Sequence, residues 1–193
     1  MRAGAVQDLG SFRLPDGFRG RPAWFVQLWW LVQATLFAWS PQFMYGWRRW
    51  LLRCFGARIG LNALIRPSAE FTYPWKITIG DRSWIGDRVA LYSLGIIQIG
   101  SDVVVSQNSY LCAGTHDYSA PNFDISGPPI IIGDEVWIAA DVFVGPGTTI
   151  GRGAVVGARS SVFHDLPPMK VCRGNPAVPV HDRQVIVRPA PSP

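Results

Sequence analysis

Residues 130–162 read IIIGDEVWIAADVFVGPGTTIGRGAVVGARSSV, and this stretch decides the fold. An aliphatic residue recurs in it every six positions, often followed by glycine or another small residue, with a small or β-branched residue four places on. Working outward along the chain, the same period continues through five groups of three: Ile59, Ile65, Phe71; Ile79, Ile85, Leu91; Ile99, Val105, Leu111; Ile132, Ile138, Val144; and Ile150, Val156, Val162.

The six-residue period predicts an all-β protein, a triangular parallel β-helix of about five coils. Six residues form one face and three faces form one turn, so each coil pairs its backbone with the coils above and below, about 4.8 Å away. The inward aliphatic residues then form one continuous stack. The glycines that follow them mark corners, where either a positive φ or a close backbone approach would suit a residue without Cβ.

Composition sets the remaining limits on fold class. The 193 residues are enough for one sizeable core, and 48% hydrophobic with 16% charged residues excludes a disordered chain. Cys54, Cys112 and Cys172 lie far apart and form no CxxC pair, which supports neither a disulfide scaffold nor a thiolate zinc site. A reducing compartment fits this cysteine usage.

The sequence divides into four segments. We expect a polar tail at 1–22, a Trp- and Arg-rich helical segment at 23–57, the β-helix at 58–168 with an inserted loop at 116–131, and a C-terminal extension at 169–193. The tail carries charges of mixed sign and no apolar run ending in a cleavage site, so a secretory signal is not expected and a cytoplasmic location is.

The helical segment suggests a surface contact. Residues 23–47 carry no charge, and six of the nine tryptophans lie between positions 24 and 50. Three glutamines, a proline and a glycine interrupt the stretch, which disfavours a bilayer span. Residues 23–55 would nevertheless suit the headgroup boundary at the inner membrane face. Further on, Trp47, Trp50, Leu51 and Cys54 follow helical spacing with Arg49 and Arg53 opposite them.

The charge distribution leaves the partner of this segment open. Residues 1–66 hold nine arginines against two aspartates, whereas the rest of the chain holds nine basic against eleven acidic residues. The amphipathic helix could lie on a membrane, or it could dock on the protein's own body or on a neighbouring subunit. Nucleic acid is disfavoured because the segment matches no nucleic-acid-binding fold.

Departures from the period point to a functional corner. The coils take 20, 20, 33 and 18 residues, with two extra residues after Phe71, two after Leu91 and fifteen after Leu111. All three insertions therefore leave the triangle at one corner. His116 begins the longest insertion, where it could transfer protons or simply fill a turn.

A family resemblance bears on these alternatives. The segments WRRWLLRCFGARIG, PWKITIGD, YSLGIIQIG, LCAGTHDY and GNPA, together with 130–162, resemble the left-handed β-helix acyltransferases with hexapeptide repeats, above all the colanic acid biosynthesis acetyltransferases. The likeness extends to the maltose and galactoside O-acetyltransferases. It implies acetyl-CoA as donor, a saccharide hydroxyl as acceptor in polysaccharide biosynthesis, no metal, and a homotrimer with sites between subunits.

The resemblance also implies roles for individual residues. His116 in GTHD matches the catalytic histidine, a general base for direct transfer, and Asp117 is its neighbour. Ala140 and Ala158 are 18 residues apart and so lie in one column, with Pro176 a further 18 residues on. Their small side chains would leave room for an extended pantetheine arm, although a repeat also produces small residues at ordinary corners. By resemblance Trp137, Ala140 and Ala158 line the coenzyme A groove. The chain departs from the relatives where they bind the nucleotide phosphates, and Arg159, His164 and Arg173 are the candidate contacts there. Tyr73, Trp75 and Tyr92, in or next to the inserted corner, are candidate sugar contacts together with Asp117; the alternative for the three aromatic residues is local loop packing.

Two other classes of function are compatible with the repeat. A non-catalytic binding scaffold would keep the coils but would not need His116. A metal-dependent hydratase like the γ-type carbonic anhydrases needs three histidine ligands. The chain has only His116, His164 and His181, and their positions do not match such a set.

Overall fold

The computed structural model describes residues 6–186, so the first five residues of the tail and residues 187–193 of the extension lie outside the described residues. It consists of three mostly parallel sheets that form the faces of one spiral. Face A comprises β1 (Arg58–Ile59), β4 (Ile77–Ile79), β7 (Ile97–Ile99), β12 (Ile130–Ile132) and β15 (Thr149–Ile150). Face B comprises β2 (Leu64–Ile65), β5 (Trp84–Ile85), β8 (Val104–Val105), β13 (Trp137–Ile138), β16 (Val155–Val156), β18 (Lys170–Gly174) and the antiparallel β19 (Ala177–Asp182). Face C comprises β3 (Glu70–Phe71), β6 (Ala90–Tyr92), β9 (Tyr110–Cys112), β14 (Phe143–Val144) and β17 (Ser161–Val162).

The register of the sheets confirms the six-residue period. On face A, Ile59 pairs with Ile79 and Ile79 with Ile99, while on face C Val144 pairs with Leu111 on one side and Val162 on the other. All fifteen inward residues of the five groups are buried. The β-helix therefore encloses one continuous apolar stack, as the sequence predicted.

The spiral extends further than the predicted boundary at residue 168. Leu166 forms a bridge with Ile150, and Cys172 pairs with Val156 on face B. A sixth, partial coil thus corrects the expected five, and it lies within what the sequence suggested was a separate extension. The regular spacing of the repeat did not reveal this last coil, because the coil is two residues shorter than the one before it.

The corner glycines serve close backbone approach. A Cβ on Gly80 would lie 2.5 Å from the carbonyl carbon of Gly100 in the next coil, and Gly80 does not have a positive φ. The left-handed backbone lies elsewhere, three positions after the inward residue, as at Asp102 (φ 57°) and Arg159 (φ 59°). Of the two reasons for glycine that the sequence left open, steric room between coils is therefore the one that applies.

Helices close the amino-terminal end of the spiral. They are α1 (Ala23–Val32), which continues as a π-helical segment (Gln33–Phe37), and α2 (Tyr45–Cys54). The first coil has no coil before it, so its outer carbonyls lack partners. One cap side chain reaches each face: Arg53 Nη2 donates to Ile59 O (2.6 Å), Arg48 Nε to Ile65 O (2.6 Å), and Trp29 Nε1 to Phe71 O (2.7 Å).

This capping places the arginine side of α2 against the first coil. The sequence left open whether the amphipathic helix lies on a membrane, on the protein's own body or on another subunit. Arg49 Nη1 donates to Ala63 O (2.9 Å) and Arg48 is completely buried, so this side of the helix docks on the body. Trp50 lies outward instead, 53% exposed. The unpaired carbonyls of the first coil draw the guanidinium groups inward because a buried acceptor without a donor is destabilising. None of the helices in the described part of the chain combines the length and apolarity needed to cross a bilayer.

Candidate active site

The corner between faces C and A carries all three insertions, as predicted. The first contains the short 3-10 helix Pro74–Lys76, and the third forms a hairpin of β10 (Thr115–His116) and β11 (Ile125–Ser126). Consecutive insertions pack directly on each other, since Tyr73 N donates to Ser93 Oγ (2.8 Å) and Gly95 N to Ala113 O (2.6 Å). The corner is therefore a rigid base that holds the hairpin away from the body.

His116 is fixed in the hairpin by one nitrogen and one ring contact. Its Nδ1 is 2.9 Å from Phe123 O, and its ring stacks on Phe123 with centroids 4.2 Å apart and planes 9° from parallel. A carbonyl can only accept, so Nδ1 carries the proton and Nε2 presents its lone pair. Within residues 6–186 Nε2 has no hydrogen-bond partner, and the side chain is half-buried.

Asp117 does not orient this imidazole. Its Oδ1 accepts hydrogen bonds from the Ser119 backbone N–H (2.9 Å) and hydroxyl (2.5 Å). These hydrogen bonds lower the pKa of the Asp117 carboxyl. The carboxylate is exposed and organises the hairpin turn, while the Phe123 carbonyl, seven residues along the chain, orients His116.

The structure brings together five of the six predicted coenzyme A residues. Trp137 lies outward on face B, 47% exposed, and its Nε1 donates to Ser106 Oγ (3.1 Å). Ala140 and Ala158 occupy the following corner in successive coils, and Arg159 N donates to Ala140 O (2.9 Å). Together with Arg173 this set, Trp137, Ala140, Ala158, Arg159 and Arg173, is here called the face B strip.

The short last coil changes the end of the strip. Val156 pairs with Cys172, so Gly174 and not Pro176 follows Ala158 in the column. The sixth predicted residue, His164, lies two positions after Val162, at the corner between faces C and A. It is exposed there, and the structure does not place it with the strip.

Packing by the amino-terminal tail corrects the predicted sugar contacts. Tyr73 is buried and stacks on Trp75 with centroids 5.1 Å apart. Trp75 Nε1 donates to Arg19 O (2.6 Å), so the tail covers both rings. Trp75 and Tyr92 are both partly exposed, and Tyr92 stacks on Tyr110 with centroids 6.0 Å apart.

Sequence reasoning missed a cavity of about 550 Å³ on face B. Trp84 lies in its wall, 54% exposed, and Arg66 Nε donates to Asp87 Oδ2 (2.8 Å) beside it. Tyr45 from α2 completes one side, and hydrogen bonds from Gln42 and Arg66 lower the pKa of its hydroxyl. A tryptophan at an outward strand position was the available signal. An aromatic platform beside paired charged groups suits a polyhydroxylated ligand.

No group of three His, Cys, Asp or Glu side chains between residues 6 and 186 is arranged to hold a metal ion. The described residues form a parallel β-helix with two notable surface features. One is an imidazole on a hairpin whose Nε2 has no partner among residues 6–186, and the other is a strip of small and basic residues along one face.

Comparison with known proteins identifies the class of protein. Residues 129–164 match the family described as bacterial transferase hexapeptide (six repeats). The colanic acid biosynthesis acetyltransferase WcaF of Escherichia coli strain K12 is 61% identical over 178 residues, which are 92% of this chain and 98% of that protein. The chain belongs to this family of hexapeptide-repeat acetyltransferases and is an acyltransferase.

Solved structures agree with this assignment. A galactoside acetyltransferase in complex with coenzyme A superposes with a TM-score of 0.76 at 27% identity, covering 88% of this chain and 84% of that one. A hexapeptide-repeat acetyltransferase from Vibrio cholerae O1 biovar eltor, complexed with acetyl coenzyme A, gives 0.74 at 24% identity, with 88% and 89% covered. The second likeness supports the fold.

Proposed function

We propose that this chain transfers an acetyl group from acetyl-CoA to a sugar hydroxyl in polysaccharide biosynthesis, with His116 as the general base. The observation that carries the proposal is the Nε2 of His116, which has no partner in the described part of the chain while the Phe123 carbonyl holds the ring in one tautomer. The names of the similar proteins support the donor and the polysaccharide context. A non-catalytic scaffold would have no use for a tautomer fixed in this way.

Transfer is direct in this proposal. Nε2 of His116 accepts the hydroxyl proton while the sugar oxygen attacks the thioester carbon. A backbone N–H at the same corner stabilises the tetrahedral oxyanion. When the intermediate collapses, the carbon–sulfur bond breaks, and the departing thiolate takes the proton back from the imidazolium. The products are the acetyl ester and free coenzyme A, and His116 returns to its starting state.

The face B strip fits the donor. Ala140 and Ala158 leave the backbone of successive coils open to an extended pantetheine arm, and Trp137 presents an exposed ring next to them. Arg159 and Arg173 are exposed cations beside the two alanines, suited to phosphate groups. Arg159 is only loosely paired, 3.8 Å from Asp141, so an anionic ligand could compete for it.

A homotrimer is part of the proposal. In one chain the strip lies along face B and its following corner, whereas His116 extends from the corner between faces C and A. A donor on one chain would therefore react at the His116 of another, and the face B cavity would hold the acceptor. Light scattering should give the mass of three 21.3-kDa chains. A monomer with full activity would contradict the shared site.

The test uses purified protein, acetyl-CoA and a panel of soluble glycans and lipid-linked sugars, with free thiol as the readout. The exposed Cys54 would react with the thiol reagent, so Cys54→Ser supplies the matched background control. We expect thiol release that depends on the acceptor, with no acetyl group on the protein by mass spectrometry. Release without acceptor and an acetylated protein would contradict direct transfer. Acetyl-CoA binding without release for any acceptor would favour the scaffold.

The proposed location is the inner face of the cytoplasmic membrane, where lipid-linked saccharides would be presented. The uncharged, Trp-rich stretch within residues 23–55 supports this location, because such a segment suits a peripheral contact with a membrane surface.

A further inference from the structure

The outer surface of the amino-terminal cap is apolar to an unusual degree. Trp39 is 86% exposed, Phe43 80%, Trp24 67% and Leu31 62%. Leu28, Trp30, Leu36 and Trp50 are exposed as well. Soluble proteins rarely leave so many large apolar side chains in one exposed region unless the region contacts a membrane or another molecule. This set, Trp24, Leu28, Leu31, Leu36, Trp39 and Phe43, is here called the cap face.

The cap face follows from an α1 that is apolar all round. Its sequence is AWFVQLWWLV, with Gln27 as the only polar residue. On the inner side Trp29 is buried against the first coil and Val26 against the inserted corner, beside Tyr73 and Leu94. Trp24, Leu28 and Leu31 share the outer side at helical spacing. A helix with apolar residues all round is normally enclosed. Because the β-helix encloses one side only, something else must cover the other.

The polar groups in and beside the cap face either have hydrogen-bond partners within the chain or suit the boundary between a bilayer and water. The Thr35 hydroxyl donates to Leu31 O (2.7 Å), so it adds no unmet hydrogen bond. Next to Leu36 and Trp39 an apolar recess of about 450 Å³ extends down to Trp47. Tryptophan suits the headgroup boundary of a bilayer because its ring is apolar and its N–H can still meet water.

Charges around the cap face select its occupant. Between Asp16 and Glu70 the chain has seven arginines and no acidic residue. The exposed Arg21 lies at one edge of the cap face, with its guanidinium carbon 5.7 Å from the centroid of the Phe25 ring that contacts Trp24. Two copies meeting through this face would bring these cations together, which is repulsive. An anionic bilayer complements the same cation.

We infer that the cap face inserts into the interfacial region of an anionic lipid bilayer. It would bind chiefly by apolar insertion, because Arg48, Arg49 and Arg53 are committed to carbonyls of the first coil. This differs from a contact through an arginine-rich helix face, which salt would abolish. The inference rests on the proposed function for its purpose, since the bilayer would present the acceptor, but the binding can be measured separately.

The experiment is vesicle flotation of the full chain with phosphatidylglycerol–phosphatidylethanolamine vesicles and, in parallel, neutral phosphatidylcholine vesicles. We expect the wild-type protein to float with the anionic vesicles at 0.1 M salt, a reference ionic strength for screening. Raising the salt should weaken binding a few-fold and not abolish it. The triple variant Leu31→Ser, Trp39→Ser, Phe43→Ser should lose at least about tenfold in apparent affinity, from the lost apolar insertion.

A matched control replaces three exposed apolar side chains elsewhere, Leu61→Ser, Val185→Ser and Ile186→Ser. It should float like the wild type, and circular dichroism should show both triple variants folded. Absence of flotation, or equal flotation of the cap-face variant, would overturn the inference. So would a change in oligomeric mass of that variant without vesicles, which would make the cap face an interface between copies. His116→Ala should still float, so failure of catalysis and failure of binding are distinguishable.

Discussion

The amino-terminal cap and the insertion that carries the β10–β11 hairpin both depart from the repeat, but their polar side chains end in different states. In the cap, Arg48 uses Nε, Nη1 and Nη2 on four acceptors of its own chain, Ile65 O, Ser40 Oγ, Pro41 O and Gln42 O. In the insertion, His116 uses one ring nitrogen and keeps the other free among the described residues.

The difference separates a structural device from a chemical one. A buried group whose three nitrogens all donate within the chain stabilises the fold and has little left for a ligand. A half-buried group with one nitrogen anchored is oriented and still reactive. On this comparison, substitution of Arg48 should change stability, and substitution of His116 should change activity.

The largest expected effect is on catalysis, at His116. His116→Ala should lower kcat/KM at least about a hundredfold, the usual contribution of a general base. His116→Asn should be nearly as inactive, although its amide can still donate to Phe123 O. Thiol release measures the rate, and thermal unfolding should remain close to wild type. The exposed His181→Ala is the matched control, and equal losses in both variants would break the comparison.

The second effect is on stability, at Arg48. Arg48→Met leaves the buried Ile65 carbonyl and the part-buried Pro41 and Gln42 carbonyls without this donor, and should lower the free energy of unfolding by about 3–5 kcal/mol. Chemical denaturation measures it. Arg152→Met, which removes an exposed ion pair with Glu135, should change the stability by less than about 1 kcal/mol. If Arg48→Met instead reduced kcat in the folded protein, the cap would have a catalytic role and the separation would fail.

A smaller loss of stability is expected at Trp29, which also caps the first coil. Trp29→Phe keeps an aromatic ring under the cap but removes the donor to Phe71 O, which should cost about 1–2 kcal/mol of unfolding free energy. Trp39→Phe, at an exposed position, should stay within about 0.5 kcal/mol. Similar values for the two variants would mean that the carbonyl does not need its donor.

The smallest effect is expected at Asp117. Its carboxylate binds Ser119 and not His116, so Asp117→Asn should change kcat/KM by less than about threefold, far below the loss of a general base. The same hydrogen bonds lower the pKa of Asp117, so it stays ionised as the pH falls through the usual range of aspartates. The pH profile above that range should therefore be unchanged in Asp117→Asn. A hundredfold loss would show that Asp117 acts on His116 after all.

The amino-acid sequence alone was enough to predict the β-helix, its three faces and the corner of the triangle from which the insertions extend. Aliphatic residues such as Ile79 must recur every six positions so that each one points inward. This requirement concerns nearby positions only, so it can be read directly from the sequence. His116 could be located for a related reason, since it stands where the period breaks. The family resemblance followed from the same segments.

Which hydrogen-bond donors and acceptors pair with each other depends on the tertiary structure. Phe123 O meets His116 across a hairpin, Arg48 turns inward because the first coil lacks a preceding coil, and the tail buries Tyr73. The shortened last coil placed Gly174 under Ala158 by strand pairing alone. Such contacts join residues that are distant in sequence, and they depend on which donors and acceptors remain unpaired once the coils have stacked. A local period carries no information about that choice.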